Sequence, residues 1–176
     1  LEQLLRTISN SIREATPFQA VLMSVYEQET GMLRRVFGVG FASDALNELM
    51  SRKQPMTSLQ QVLKPEFRIS RTYFIPVDQA PIIPADVHIV TLEHDDKTGK
   101  STSTWDPEDL LIIPLEDDDG APLGLISFDA PRDGLRPDRA TIEALEIFAA
   151  QAALAIANHG RFSDLRAKVD SLSSGL

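Results

Sequence analysis

The sequence has no cysteine, few histidines and no long apolar segment, and each shortage excludes a class of function. Without cysteine, the chain of 176 residues cannot form disulfides, thiolate metal sites, thiol nucleophiles or a thioether bond to a chromophore. No two of the three histidines, His88, His94 and His159, have the helical spacing that lets a pair face one metal ion. No apolar run reaches the length of a membrane span, and no signal-peptide pattern is present. We therefore expect no metal, no direct membrane insertion and a cytoplasmic location.

The charge balance and the absence of catalytic motifs exclude further classes. The chain carries 26 acidic and 17 basic side chains, a formal net charge of -9. An acidic surface gains nothing from meeting a nucleic-acid backbone or anionic lipid. No H-E-x-x-H motif, G-x-S-x-G nucleophile elbow or P-loop occurs in the sequence. The length favours one domain with a sizeable core, and we predict that this domain is neither an enzyme nor a nucleic-acid binder.

Apolar spacing predicts a helix followed by a hairpin at the start of the chain. Five apolar residues are spaced by four and three, which places them on one face of a helix that ends before Pro17. They are Leu1, Leu5, Ile8, Ile12 and Ala15. Residues 19–26 and 33–40 then form strand-like runs on either side of a turn that ends in Gly31. Glycine in this position is typical of a hairpin turn.

The middle of the chain is less regular. The predicted elements are a helix at 43–52, a helix at 57–63, a strand at 68–75 and, inside an insert at 77–104, a strand at 87–92. Ser43-Asp44 is the predicted N-cap, because a short side-chain oxygen can accept hydrogen bonds from the free backbone amides of a first helical turn. The insert is rich in proline and polar residues, which predicts a long functional or irregular loop.

A second hairpin and a long helix close the domain. Apolar runs at 110–115 and 123–128 flank the acidic turn 117–120, whose glycine tolerates the positive φ that a tight turn needs. In the helix that follows, apolar residues step by three and four and form a stripe wide enough to pack on a sheet. This stripe consists of Ile142, Leu145, Phe148, Ala149, Ala152, Ala153 and Ile156.

A second apolar series continues beyond the first stripe. Its members are Phe162, Leu165, Val169, Leu172 and Leu176, again at steps of three and four. Joining the two series through His159 gives two successive steps of three, which rotates the apolar face near His159-Gly160. We predict a sensor domain at 1–162 and a helical linker at 163–176. In this interpretation Phe162, Leu165, Val169 and Leu172 form a dimer and signalling helix. The alternative is a helix that frays into a serine-rich linker.

The closing hairpin and helix together resemble those of bacterial GAF domains. The resemblance is carried by IIPLEDDDGAPLGLISFDAP, which begins at residue 112, and by TIEALEIFAAQAALAIANHGRF, which begins at residue 141. It implies an α+β fold related to PAS domains, with a central antiparallel sheet and the N- and C-terminal helices packed on one face. Shorter helices and loops would cover a ligand cavity on the other face. Members of this family usually regulate an output domain and do no chemistry themselves.

The resemblance also limits the cofactors. The Asn-Lys-Phe-Asp-Glu signature of members that bind cyclic nucleotides does not occur, and the absence of cysteine disfavours a covalent bilin and methionine-sulfoxide reduction. The ligand is therefore of unknown identity. Our predicted ligand-binding residues are Tyr73, Phe74, His88, Trp105, Asp106 and Asp109. For Trp105, which can stack on a planar ligand, the alternative is that it seals the edge of the core before a turn.

Three functions fit these observations. The first is a non-catalytic sensor that forms a homodimer, binds a small molecule and signals through its last helix to an output domain in the same parent chain. The resemblance suggests a histidine kinase of a two-component system, or another signalling enzyme, as the parent. The second is a structural dimerisation module with a filled core and no ligand. The third is an enzyme that uses the carboxylates of Asp106, Glu108 and Asp109 as acid and base, although such an acidic segment is more typical of a solvated turn.

Overall fold

The computed structural model describes residues 1–79 and 103–175, which form one sheet with helices on both faces. The helices are α1 Glu2–Ala15, α2 Ser43–Ser51, α3 Met56–Gln60 and α4 Arg139–Ser174. The strands are β1 Phe18–Glu27, β2 Met32–Val39, β3 Lys53–Pro55, β4 Arg68–Ile69, β5 Thr72–Ile75, β6 Leu110–Glu116 and β7 Pro122–Pro131. The predicted strand at 87–92 and most of the predicted insert lie outside the described residues.

The seven strands of this sheet are all antiparallel and run in the order β3-β2-β1-β7-β6-β5-β4. Both predicted hairpins are confirmed, as β1–β2 and as β6–β7. Gly31 and Gly120 lie in their turns with φ of 69° and 81°, where other residues would be strained. The mixed α and β architecture confirms the predicted fold class.

The larger core lies between the sheet and the two long helices. The middle of the predicted face of α1 is buried at Leu5, Ile8 and Ile12, whereas its two end residues, Leu1 and Ala15, are exposed. On α4 the buried residues of the predicted face include Leu145 and Ile156. They pack against the side chains of β1, β6 and β7 that point to the same face of the sheet. Glu146 adds a polar tie, because its carboxylate accepts hydrogen bonds from Ser70 Oγ at 2.8 Å and from the Arg71 amide at 2.8 Å. The N- and C-terminal helices therefore cover one face together, as predicted.

Two local predictions are wrong. Residues 68–75 do not form one strand, because a turn at Ser70, with φ of 60°, divides them into the short hairpin β4–β5. Ser43 is not a cap but the first residue of α2, and the cap residue Ala42 forms no side-chain hydrogen bond. Asp44 Oδ1 accepts a hydrogen bond from the adjacent Ala45 amide at 2.9 Å instead. In both places a short polar segment has more than one way to bond its backbone.

Gly124 lies on β7 at the centre of the sheet, close against the backbone of β1. In the β1–β7 register Gly124 faces Val25. A Cβ atom added there would collide with the carbonyl oxygen of Ser24 and would lie 3.1 Å from the Cα of Val25. Both neighbours are backbone atoms in the middle of the sheet, so neither can move aside without separating the strands. A glycine is therefore required at this position.

We expect Gly124→Ala to lower the free energy of unfolding by about 2 kcal/mol, the usual cost of forcing one methyl group into a packed interior. Urea denaturation followed by circular dichroism measures this change. The matched control is Gly160→Ala, in the exposed part of α4, where an added Cβ meets nothing within 4 Å. Alanine there raises stability by up to about 1 kcal/mol. A Gly124→Ala variant as stable as the wild type would contradict the close contact.

Candidate functional site

A cavity of about 90 Å³ lies on the sheet face opposite α1 and α4. Its floor comes from strands β1, β2, β6 and β7, and α2, α3 and the residues after α3 contribute to the wall. The apolar lining includes Leu22, Leu49, Leu59, Val62, Leu110, Ile112 and Leu125. The polar lining is Ser24, Arg35, Gln54, Asp109, Ser127 and Asp129. An apolar interior with a few polar groups is the usual composition of a small-molecule site.

Arg35 is the buried cation of this cavity, with 3% of its surface exposed. Nη1 donates to the carbonyl oxygens of Arg52 at 2.8 Å and Leu49 at 3.4 Å, and Nη2 donates to Gln54 Oε1 at 2.9 Å. All three acceptors are neutral. Nε is buried and has no hydrogen-bond partner among the described residues. The guanidinium therefore holds the end of α2 against the sheet and keeps one donor unused.

Burial lowers the pKa of Arg35 from its ordinary value, and the nearby positive charge of Arg52 lowers it further. Arginine nevertheless stays protonated in proteins, because its pKa begins far above neutral pH. Since Arg35 forms no ion pair with a described carboxylate, its charge is compensated only by carbonyl dipoles. Removing a charge from water without a counterion costs several kcal/mol, so Arg35 is a costly residue to bury at this position.

Asp109 lies at the margin of the cavity. Its side chain is fully buried and forms an ion pair with Arg136. Its carboxylate oxygens accept from Arg136 Nε at 3.0 Å and Arg136 Nη2 at 3.2 Å, and from the Val77 and Asp106 amides at 2.9 Å each. Burial lowers the pKa of Arg136, but its hydrogen bonds and charge interactions with Asp109 and Asp78 outweigh that effect, so the net pKa is raised. Both carboxylate oxygens of Asp109 are therefore already hydrogen-bonded to protein groups, and their role is structural.

Trp105 and Phe74 lie in the core rather than in the lining of the cavity. Trp105 is 3% exposed, packs edge-on against Phe18 at 5.5 Å between ring centroids, and lies 6.2 Å from the ring of Phe74. Its indole Nε1 donates to Asp129 Oδ1 at 3.1 Å, and Asp129 lines the cavity. This geometry matches the alternative in which Trp105 seals the edge of the core.

The other predicted ligand residues are dispersed. Asp106 Oδ1 accepts from the Glu108 amide at 2.9 Å, which makes the acidic segment a turn. Tyr73 lines a separate open groove of about 680 Å³ beside α4, where charged side chains such as Arg68 and Glu116 are among the lining residues. His88 lies outside the described residues. Of the five predicted residues that the structure describes, only Asp109 lines the cavity, and a ligand role for any of the six stays a prediction.

The second candidate surface is an apolar stripe along the solvent side of α4. The helix continues without a break through His159-Gly160, although its burial ends near Ile156. The large apolar residues exposed beyond this point are Phe162 at 63%, Leu165 at 62%, Val169 at 52% and Leu172 at 74%. These are the four residues that we predicted for the dimer and signalling helix. Their exposure leaves them available to a partner.

The same stripe extends back over the body of the domain. Ile147 and Leu154 on α4 are 63% and 61% exposed. At about 100° per residue, steps of seven and eleven residues return to within about 20° of the same direction, so both align with Leu165 and Leu172. The buried residues Leu145 and Ile156 point to the opposite side. The helix therefore has two apolar faces, one toward the sheet and one toward solvent.

The helix α4 is long and apolar enough to cross a membrane, with a mean hydropathy of 1.5 over 18 residues. Core helices of soluble proteins can have the same length and composition. The packing of α4 on the sheet accounts for the apolar residues of one face. In the described parts of the chain, no three histidine, aspartate or glutamate side chains form a group able to hold a metal ion.

The fold agrees with the comparison to known families, in which the model of the GAF domain matches residues 1–156. The chain belongs to the GAF domain family. GAF domains are sensory and regulatory domains of signalling proteins and are generally non-catalytic. A sequence search among well-characterised proteins finds no match.

Solved structures of signalling proteins share this GAF fold. A GAF domain/HD domain protein from Geobacter sulfurreducens is similar with a TM-score of 0.64 at 9% identity, over 89% of this chain and 91% of that chain. A domain of a two-component sensor histidine kinase protein from Sinorhizobium meliloti 1021 gives 0.57 at 14% identity, over 94% and 97%. Residues 122 to 287 of a methyl-accepting chemotaxis protein give 0.59 at 18% identity, over 89% and 88%. At such identities the likeness concerns the fold alone.

Sequence reasoning missed Arg35 and the exposed pair Ile147 and Leu154. A signal for Arg35 was present, because strand alternation places it on the same face as the buried Leu33. A signal for Ile147 and Leu154 was present too. They are seven positions apart, which is about two helical turns, and other apolar residues already form the core face of this helix. Ser24 and Ser127 carry no sequence signal, since serine in a strand is common on either face.

We expect Asp109→Asn to destabilise this GAF domain by about 3 kcal/mol, because losing one partner of a buried ion pair leaves the other charge uncompensated. Thermal and urea unfolding measure the change. Asp78→Asn is the matched control, since Asp78 is 67% exposed and meets Arg136 at only 3.5 Å, and exposed pairs contribute about 0–1 kcal/mol. Equal effects of the two substitutions would contradict the structural role of Asp109.

Proposed function

We propose that this GAF domain is a non-catalytic sensor that binds a small molecule in the 90 Å³ cavity and forms a homodimer through α4. In this role residues 1–162 are the sensor, and 163–176 are a helical linker that relays the signal to an output domain in the same chain. The observation that carries the proposal is the exposed apolar stripe of α4, opposite the face that packs on the sheet.

The stripe favours a second copy of the same chain as its occupant. Leu165, Val169 and Leu172 follow the spacing of three and four that lets two helices interdigitate side chains in a coiled coil. Asp164, Arg166, Lys168 and Asp170, which lie beside them, are all exposed, and the two negative and two positive charges of these residues balance. Ile147 and Leu154 continue the interface onto the domain body.

The sheet provides the route from the cavity to the stripe. Residues of β6 and β7 alternate between the two faces, so a displacement of the cavity floor also displaces the surface on which α4 packs. A ligand acts only if it binds the two signalling states with different affinity, because equal affinity shifts no population. The cavity thus supplies the sensing element and α4 the relay.

The similar structures support a signalling parent. They include a domain of a two-component sensor histidine kinase protein, a methyl-accepting chemotaxis protein and a GAF domain/HD domain protein. We therefore propose a cytoplasmic location in a bacterial signalling protein, with a histidine kinase as the first choice of output domain. The domain itself needs no catalytic residue for this role.

A ligand-free dimerisation module is the second candidate. The modest volume of the cavity, about 90 Å³, favours it, because a fully closed interior needs no ligand. Mass spectrometry of the native protein purified without additives separates the two. A bound small molecule supports the sensor, and an empty chain with intact dimers supports the structural module.

We expect the triple replacement Leu165→Gln, Val169→Gln and Leu172→Gln to raise the Kd of the homodimer at least about a hundredfold, because each buried apolar side chain contributes about 1.5–3 kcal/mol. Sedimentation equilibrium measures this Kd. Glutamine keeps a high helix propensity, so the helix itself is preserved.

The matched control replaces three residues on the other side of the same segment, Asp164→Gln, Ala167→Gln and Asp170→Gln. Its dimer should have the Kd of the wild type. If the first variant also dimerises like the wild type, α4 does not form the interface.

A further inference from the structure

We propose that the ligand of this cavity is a small aliphatic carboxylate whose oxygens bind the guanidinium of Arg35. The inference rests on the proposed function, since it names the chemical class of the ligand for the same cavity. Three properties of the described residues support it. Arg35 is a buried cation without a carboxylate partner, hydrogen-bond donors beside it are unused, and the rest of the cavity is small and apolar.

The cation is built into the cavity and has no counterion. Only 3% of the surface of Arg35 is exposed. No described aspartate or glutamate lies within ion-pairing distance of its guanidinium. Its bonds to the carbonyl oxygens of Leu49 and Arg52 cap the end of α2, where carbonyl dipoles favour a positive charge. These dipoles hold the side chain in place and stabilise its charge in part, but no carboxylate among the described residues neutralises it.

The unused donor defines how an anion would bind. Nε is buried without a partner, while only Nη1 and Nη2 are engaged by protein acceptors. Nε–H lies on the edge of the planar guanidinium that can pair with both oxygens of a carboxylate. The other nitrogen of that edge, Nη2, already donates one hydrogen bond to Gln54 Oε1, so Nε is the donor left for a ligand. The hydroxyls of Ser24 and Ser127, which form no side-chain hydrogen bond to described residues, supply further donors in the same cavity.

The remainder of the cavity selects the size and the polarity of the ligand. Leucines such as Leu49, Leu59 and Leu125 form an apolar wall, which favours an aliphatic chain over a hydrated inorganic ion. The volume of about 90 Å³ is roughly two thirds of an engineered cavity that admits benzene, so a chain of about two to four carbons fits. The two carboxylates in the lining are already bonded, Asp109 to Arg136 and Asp129 to the indole of Trp105.

The test is a titration of the 176-residue chain with sodium propionate, propionamide and sodium nitrate, followed by two-dimensional ¹H–¹⁵N NMR. We expect propionate to shift the Arg35 Nε–H resonance and the amide of Ser24, with a Kd at least tenfold below that of propionamide, since hydrogen bonds to charged groups contribute that much. A purely structural Arg35 would leave its Nε–H resonance unmoved. Nitrate, which has the charge without the chain, should bind more weakly than propionate.

Two variants separate the guanidinium from general charge effects. Arg35→Gln should raise the Kd for propionate at least about tenfold, and Arg34→Gln should leave it unchanged, because Arg34 lies on the exposed face and pairs with Glu27 at 3.6 Å. If Arg35→Gln does not fold, Ser127→Leu, which fills the cavity from the sheet side, should abolish the propionate shifts in its place.

The outcomes distinguish this inference from the proposed function. Propionamide binding as tightly as propionate overturns the carboxylate and leaves the sensor with a neutral ligand. If nitrate binds as tightly as propionate, the claim that the cavity selects an aliphatic chain is overturned. No binding by any of the three compounds overturns the inference and favours the ligand-free dimerisation module, which the sedimentation experiment tests separately.

Discussion

The pairing of β1 with β7 decides which side chains face the helices and which face the cavity. Along β7, Ile126 joins the core under α1 and α4, whereas Leu125 and Ser127 line the cavity. Because strand side chains alternate, a slip by one residue would exchange the two sets and bury the wrong face. Gly124 holds the register, since only a residue without a side chain fits against the backbone of β1 at that position. Both functional surfaces depend on this contact.

A single sheet between cavity and helix also limits how a signal is transmitted. The interior is close-packed, so small displacements are passed on to neighbouring elements rather than absorbed. Glu146 strengthens this coupling, because it joins α4 to the β4–β5 turn by hydrogen bonds to Ser70 and Thr72 at 2.8 and 3.0 Å. At the other side of the sheet, Arg35 joins the end of α2 to the cavity. A ligand at Arg35 would therefore act on two helices through short contacts.

Periodic elements could be predicted from the sequence, and single special residues could not. The core face of α4 and both hairpins followed from apolar spacing and turn glycines, since these patterns depend on local geometry alone. The division of residues 68–75 at Ser70 depends on Glu146, which is distant in sequence, so no local pattern reveals it. Trp105 and Asp109 were proposed as ligand residues by type, but their partners, Asp129 and Arg136, are set by tertiary packing. The cavity cation Arg35 was overlooked because a single arginine in a strand normally lies in solvent.

The most direct test of the account is the distance between the two copies of α4. The chain has no cysteine, so Ser171→Cys accepts a single spin label in each copy, and double electron–electron resonance measures the separation. Packed helices lie about 8–10 Å apart, which places two labels within about 20–35 Å of each other in a parallel dimer. A narrow distribution in that range, altered when propionate is added, is the result we predict. If the labels show no dipolar coupling at a protein concentration well above the Kd of the homodimer, pairing through α4 is contradicted.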